Sequence, residues 1–81
     1  MTKDEIFEVM SRHIRYVEPE TEAAPISRDD NLKLLGLDSV ARVEVLLLTM
    51  ESLGVTVSNT ELAAARNLGE LVDLFALHTH D

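Results

Sequence analysis

Apolar and polar positions recur with a helical period along most of this chain. Between Lys3 and Val17, the residues Ile6, Met10, Ile14 and Val17 fall three or four apart, with Phe7 beside them. That spacing places one apolar stripe along a helix of 3.6 residues per turn. Thr2 is the expected N-cap, and Glu5 three residues later completes a capping box. Asp4, Glu5 and Glu8 lie near the positive end of the helix dipole, and Arg12 and Arg15 towards the negative end. Pro19 stops the helix, because it has no N–H to donate and its ring clashes with the preceding turn.

The period then breaks. Residues 18–38 carry Glu18, Pro19, Glu20, Glu22, Pro25, Asp29 and Asp30, and predict a long connection. Loops of this length are functional or pinned by anchors. Ile26, Leu32, Leu35 and Leu37 are the candidate anchors, with a short helical turn around Asn31 to Leu34. A second helix is expected over Ser39–Leu53, ended by Gly54. Its apolar positions exceed one face: Val40, Val43, Leu46, Leu47, Met50 and Leu53 make a broad stripe, while Val45 and Leu48 lie elsewhere. Such a helix is either buried on most sides or leaves part of its surface for a partner. Val55 and Val57 look extended, but no second strand exists to pair with them, so they predict a loop packed inward. Ser58 or Asn59 caps a short helix through Ala64. Asn67, with Glu70 three residues on, caps a last helix to about Leu77, and Leu68, Leu71, Val72 and Phe75 form its inner stripe. His78 to Asp81 is expected to be a frayed tail. The predicted fold is all-α: a small four-helix bundle of three main helices plus one short helix, with a long first loop, in one domain over residues 1–81.

Composition narrows the chemistry. The 81 residues are 46% apolar, and their only aromatics are Phe7, Tyr16 and Phe75. Cysteine is absent, which excludes disulfides, thiolate nucleophiles and cysteine zinc sites. Fifteen acidic against seven basic side chains give a formal charge of -8. That field repels a phosphate backbone and argues against nucleic acid as a partner. It suits docking to basic patches on proteins. No apolar segment approaches the ~20 residues needed to span a bilayer. The start, Met1 to Glu5, lacks the apolar core of a signal peptide. Together with the short tails, these features predict a free-standing cytoplasmic monomer that enters no membrane. No metal site is expected: His78, His80 and Asp81 lie on the tail, and Asp29-Asp30 lacks the ligand pattern of a calcium loop.

One junction stands out, "LLGLDSVARVEV" over residues 34–45. Gly36 permits a tight turn. Asp38 lies immediately before the second helix, where its carboxylate can accept hydrogen bonds from the first-turn amides. Ser39 then sits in the first turn, where an attached anion would meet free N–H groups and the positive dipole end. A plain helix cap would use the same two residues. No histidine or second carboxylate stands close in the chain to activate the serine for catalysis.

The run "LKLLGLDSV", in this helical order, resembles the acyl carrier protein family, which carries a Leu-Gly-x-Asp-Ser-Leu-like motif at the start of its second helix. The resemblance extends from about Ile6 to Phe75 and includes the acidic first loop, "GVTVSNTEL" and "NLGELVDLF". It implies that Ser39 receives 4'-phosphopantetheine from coenzyme A through a separate phosphopantetheinyl transferase. The chain would then be a shuttle rather than an enzyme, carrying acyl groups as thioesters to acyl-loading, condensing or modifying enzymes. By the same resemblance, Val43, Val45, Leu46 and Leu53 face the bundle. Val40, Leu47 and Met50 lie on the exposed docking side below Ser39, with Glu44 and Glu51 beside them.

The second helix departs from the fatty-acid type of the family. Ala41, Arg42 and Met50 stand where acidic residues are dense in that type, Leu34 replaces an acidic residue, and Val40 replaces leucine. These departures point to a specialised polyketide-type or related pathway rather than general fatty acid biosynthesis. Two alternatives stay open: a peptidyl or aminoacyl carrier, which more often shows Gly-Gly-His-Ser or Gly-Gly-Asp-Ser, and a helical interaction module in which Ser39 only caps.

Overall fold

The computed structural model describes residues 1–23 and 25–79. Its elements are α1 (Lys3–Val17), a 3-10 turn (Pro19–Ala23), α2 (Ser39–Leu53), α3 (Asn59–Ala64) and α4 (Leu68–His78), and no strand occurs among the described residues. The all-α bundle of three longer helices and one short helix thus matches the sequence pattern.

Local chemistry explains each boundary. The Thr2 hydroxyl accepts from Glu5 N–H at 3.1 Å, and Glu5 Oε1 accepts from Thr2 N–H at 2.8 Å, a complete capping box. Ser58 caps α3 through Glu61 N–H at 3.2 Å, and Asn67 caps α4 through Glu70 N–H at 2.8 Å. Gly54 ends α2 in the left-handed region at φ 69°. There its N–H donates to Glu51 O, and Val55 N–H donates to Met50 O, so the last carbonyls of α2 are satisfied.

Two expectations need revision, and a third is met. The segment after Pro19 is a 3-10 turn, in which Thr21 is buried and its hydroxyl donates to Glu18 O at 2.7 Å. The short helical turn expected around Asn31 to Leu34 is present, as hydrogen-bonded turns over residues 32–36 closed by Leu35 N–H to Asn31 O and Leu37 N–H to Leu32 O. His78 belongs to α4 rather than to a tail; it lies 3.7 Å from Glu61 on α3, and Thr79 caps the helix end. His80 and Asp81 lie outside the described residues. Among those described, no group of three metal-ligating side chains forms.

The core runs through every layer. Ile6, Met10 and Ile14 of α1 meet Val45 of α2, Leu62 of α3 and Leu68, Leu71, Val72 and Phe75 of α4. Leu32 and Leu37 from the first loop and Val57 from the second complete it, so both loops are anchored by buried side chains. Each fully buried aliphatic or aromatic side chain contributes roughly 1.5–3 kcal/mol through removal from water.

The first loop is fixed at both flanks. Arg28 pairs with Asp4 of α1, and its guanidinium lies over the Phe7 ring, 5.2 Å from the centroid. Its carbonyl accepts from Gly69 N–H at 2.9 Å, while Asp30 O accepts from Leu68 N–H at 2.8 Å. A Cβ at Gly69 would come within 3.3 Å of Asn67 Oδ1 and 3.4 Å of the Arg28 carbonyl oxygen, a tight fit that glycine avoids. These bonds set the loop against the start of α4 and fix the approach to α2. Among the described residues, no helix is long and apolar enough to cross a membrane.

Candidate functional site at the start of α2

The path into α2 runs through Gly36, whose φ of 95° lies in the left-handed region that favours glycine. Leu37 then plunges into the core, which fixes the next residue at the helix boundary. Asp38 is the N-cap: its backbone is extended, and Oδ1 accepts from Ala41 N–H at 2.8 Å. Its own carbonyl accepts from Arg42 N–H at 2.9 Å, the first bond of the helical ladder. Ser39 is the first helical residue and is exposed. The amides of Ser39 and Val40 have no intrahelical acceptor at this end. An anionic ester on the Ser39 oxygen is therefore compatible with the local geometry, sterically and electrostatically.

Beside Ser39 opens a groove of about 520 Å³. Ser39, Arg42, Val43 and Leu46 form one wall, at the i, i+3, i+4, i+7 spacing of a single helical stripe. Asn31, Leu32 and Lys33 of the first loop form a second. Residues of α3 and of its junction with α4, from Asn59 to Asn67, form a third. Leu32, Leu46, Leu62 and Leu71 give the groove an apolar floor, while Lys33, Arg42 and Arg66 bring cations to it. None of its lining residues is acidic, although acids outnumber bases by 15 to 7 in the chain. No sequence pattern points to this groove, because its walls come from segments far apart in the chain.

The facing of α2 resolves the ambiguous apolar pattern. Only Val45 and Thr49 are fully buried on this helix, one turn apart. Thr49 was not expected in the core; its hydroxyl is satisfied by Val45 O at 2.8 Å. Val40 is 75% exposed and Leu47 53% exposed, on the outer side with the exposed Glu44 and Glu51. Val43, expected to face the bundle, is instead 56% exposed. The reason is angular: at about 100° per residue, Val43 stands about 160° from Val45 around the helix. Met50, expected on the docking side, is half-buried and packs against the core. Its sulfur accepts from Val57 N–H at 3.3 Å, which ties the loop after α2 back onto the helix. The outer stripe is thus Val40, Val43 and Leu47, extended by Leu34, which is 77% exposed on the approach to the site.

The chain is similar to known proteins along most of its length. The family model for the phosphopantetheine attachment site matches residues 15–75. A curated relative, the polyketide biosynthesis acyl-carrier-protein AcpK of Bacillus subtilis (strain 168), is 36% identical over 74 residues, covering 91% of this chain and 90% of that protein. A solved chain is 42% identical, with a TM-score of 0.87 over 95% of this chain and 99% of its own length. It comes from the crystal structure of the curacin biosynthetic pathway HMG synthase in complex with acetyl donor-ACP. The chain belongs to the acyl carrier protein family, whose members tether acyl groups through covalently attached 4'-phosphopantetheine.

Proposed function

We propose that Ser39 carries the arm and that this protein shuttles acyl intermediates in a polyketide-type pathway. The observation that carries the assignment is the exposed Ser39 hydroxyl at the start of α2, beside the Asp38 cap and at the groove. Ser39 supplies the oxygen for a phosphodiester, and the first-turn amides lie beside the resulting charge. The arm, when attached, supplies the thiol that a chain without cysteine lacks. The protein itself acts as a substrate for other enzymes and performs no catalytic step. A phosphopantetheinyl transferase first modifies Ser39. Acyl-loading, condensing or modifying enzymes then dock on the outer face of α2, formed by Val40, Val43, Leu47, Glu44 and Glu51. That face offers three exposed aliphatic side chains and two carboxylates, suited to a partner with an apolar depression and a basic rim.

The names of the relatives support the pathway. One is a carrier of polyketide biosynthesis, and the other was solved in a complex of the curacin pathway. The common core linking all four helices supports treating residues 1–81 as one carrier domain. The acidic balance and the absence of cysteine support a monomer in the cytoplasm.

The test is direct. The purified protein is incubated with coenzyme A and a broad-specificity phosphopantetheinyl transferase, and its intact mass is measured. The mass should rise by one phosphopantetheine, and the rise should be lost in Ser39→Ala. An unchanged mass, with a control carrier modified alongside, overturns the proposal. Modification that persists in Ser39→Ala moves the site elsewhere.

A further inference from the structure

Met50 holds the connection between α2 and α3 twice. Its carbonyl accepts from Val55 N–H at 3.1 Å, and its sulfur accepts from Val57 N–H at 3.3 Å. Val57 is buried, and Ser58, the next residue, caps α3. The sulfur contact therefore satisfies a backbone amide at a buried position and fixes the start of α3. A thioether is a weak acceptor and, unlike a carbonyl, it can be oxidised under mild conditions. The three methionines differ in access. Met10 is fully buried in the core, Met1 lies exposed at the start of the chain, and Met50 is half-buried against the core. Met50 thus combines partial exposure with a structural use of its sulfur.

We infer that Met50 is a modification site, at which hydrogen peroxide forms methionine sulfoxide and releases the start of α3. A sulfur lone pair attacks one peroxide oxygen as the O–O bond breaks. Sulfur is oxidised by two electrons and keeps that oxygen. The peroxide is reduced, and its other oxygen leaves as water after taking the proton from the first. Of the two lone pairs on the thioether, one is held by Val57 N–H. An oxygen bonded along that line would come closer to the amide nitrogen than hydrogen-bond contact allows. Attack therefore falls on the other lone pair, and one sulfoxide epimer forms. The oxidised sulfur is electron-poor and a worse acceptor, and its new oxygen points away from Val57. The buried amide loses its partner, and a polar sulfoxide replaces an apolar group packed on the core. Loss of one hydrogen bond in a domain of this size lowers Tm by roughly 4–8 °C. Neither step involves Ser39 or its arm.

In the experiment, the whole protein is exposed to dilute hydrogen peroxide, and peptide mapping by mass locates each added oxygen. Oxygen should appear at Met1 and Met50 well before Met10. Melts followed by circular dichroism should then show the lowered Tm, and the Val57 amide should lose protection from deuterium exchange. The two stereospecific classes of methionine sulfoxide reductase, applied to the Met50 peptide after digestion, should find a single epimer. Met50→Leu keeps the side-chain volume and removes the sulfur. This variant should take up oxygen at Met1 alone, and its Tm should not change on treatment, which separates Met1 from Met50. Met50 left reduced while Met1 is oxidised would show an inaccessible sulfur and overturn the assignment. Oxygen at Met10 as fast as at Met50 would show attack on unfolded chains and overturn it too. Equal amounts of the two epimers would overturn the blocked lone pair. Unchanged Tm and unchanged Val57 protection in the oxidised protein would overturn the release of α3.

Discussion

Replacement of Asp38 separates its role as a cap from its role as a neighbour of Ser39. Asp38 Oδ1 accepts one amide hydrogen bond, from Ala41, and no other acidic residue lies in the first turn of α2. Asp38→Ala removes both the hydrogen bond and the charge at the dipole. Loss of a cap costs about 1 kcal/mol. Asp38→Asn keeps an acceptor and loses only the charge, a smaller effect of about 0.3–1 kcal/mol. An 81-residue domain has a total stability of about 4–12 kcal/mol, so both variants stay folded. For a domain of this size, about 1 kcal/mol lowers Tm by roughly 4–8 °C. Thermal melts followed by circular dichroism should therefore rank wild type above Asp38→Asn above Asp38→Ala. Arm attachment, followed by mass under identical conditions, should slow in the same order, because a frayed first turn presents Ser39 in several conformations. Wild-type melting of Asp38→Ala would refute the cap. Equal losses for Ala and Asn would assign the whole effect to charge.

Other substitutions address separate parts of the molecule. Gly54→Ala should destabilise by about 1–2 kcal/mol through its left-handed backbone alone, since nothing lies within 4 Å of the added methyl; unchanged denaturant midpoints would contradict this. Glu5 is held below its ordinary value of 4.5, first by the backbone hydrogen bond from Thr2 and then by the Thr2 side chain. Its folded-state value is thus depressed, so its contribution to stability is present above about 4.5 and is lost as pH falls through the folded value. Glu5→Gln should consequently flatten the acid side of the stability profile, and an unaltered profile in urea melts from neutral to acid pH would count against the capping box. Val43→Ser should leave stability within about 0.5 kcal/mol, as for other exposed positions, while weakening complexes with partner enzymes in binding assays. Val45→Ser, two residues on, should instead lower the melting temperature, because Val45 is fully buried.

The sequence made some parts of this structure legible and concealed others. α1 could be read because its apolar stripe, capping box and Pro19 boundary all agree. The start of α2 could be read because Asp38 follows a glycine turn and precedes an uninterrupted helical run. Its facing could not. Aliphatic side chains surround α2, so periodicity alone does not mark an inner side, and packing against α1 decides it. Thr49 was hidden by its polarity, since its hydroxyl is satisfied by a carbonyl of its own helix. Met50 was misplaced because its sulfur serves a loop amide that no local pattern links to it. The cationic groove depends on the path of the first loop, which brings Lys33 to a helix stripe and to the α3–α4 junction. That path is fixed by hydrogen bonds across roughly 40 residues, a separation that residue spacing does not encode.

Those cross-chain bonds also set a clock. Amides in the first turn of a helix lack helical acceptors and exchange rapidly with solvent. At the start of α4, however, Leu68 and Gly69 donate to the first loop. Their exchange with deuterium should therefore report the lifetime of the docked loop rather than the unfolding of α4. Leu32 and Lys33 of the same loop form one wall of the groove. Protection of two backbone amides on α4 thus becomes a measure of how often that wall moves, obtained without any label on the arm.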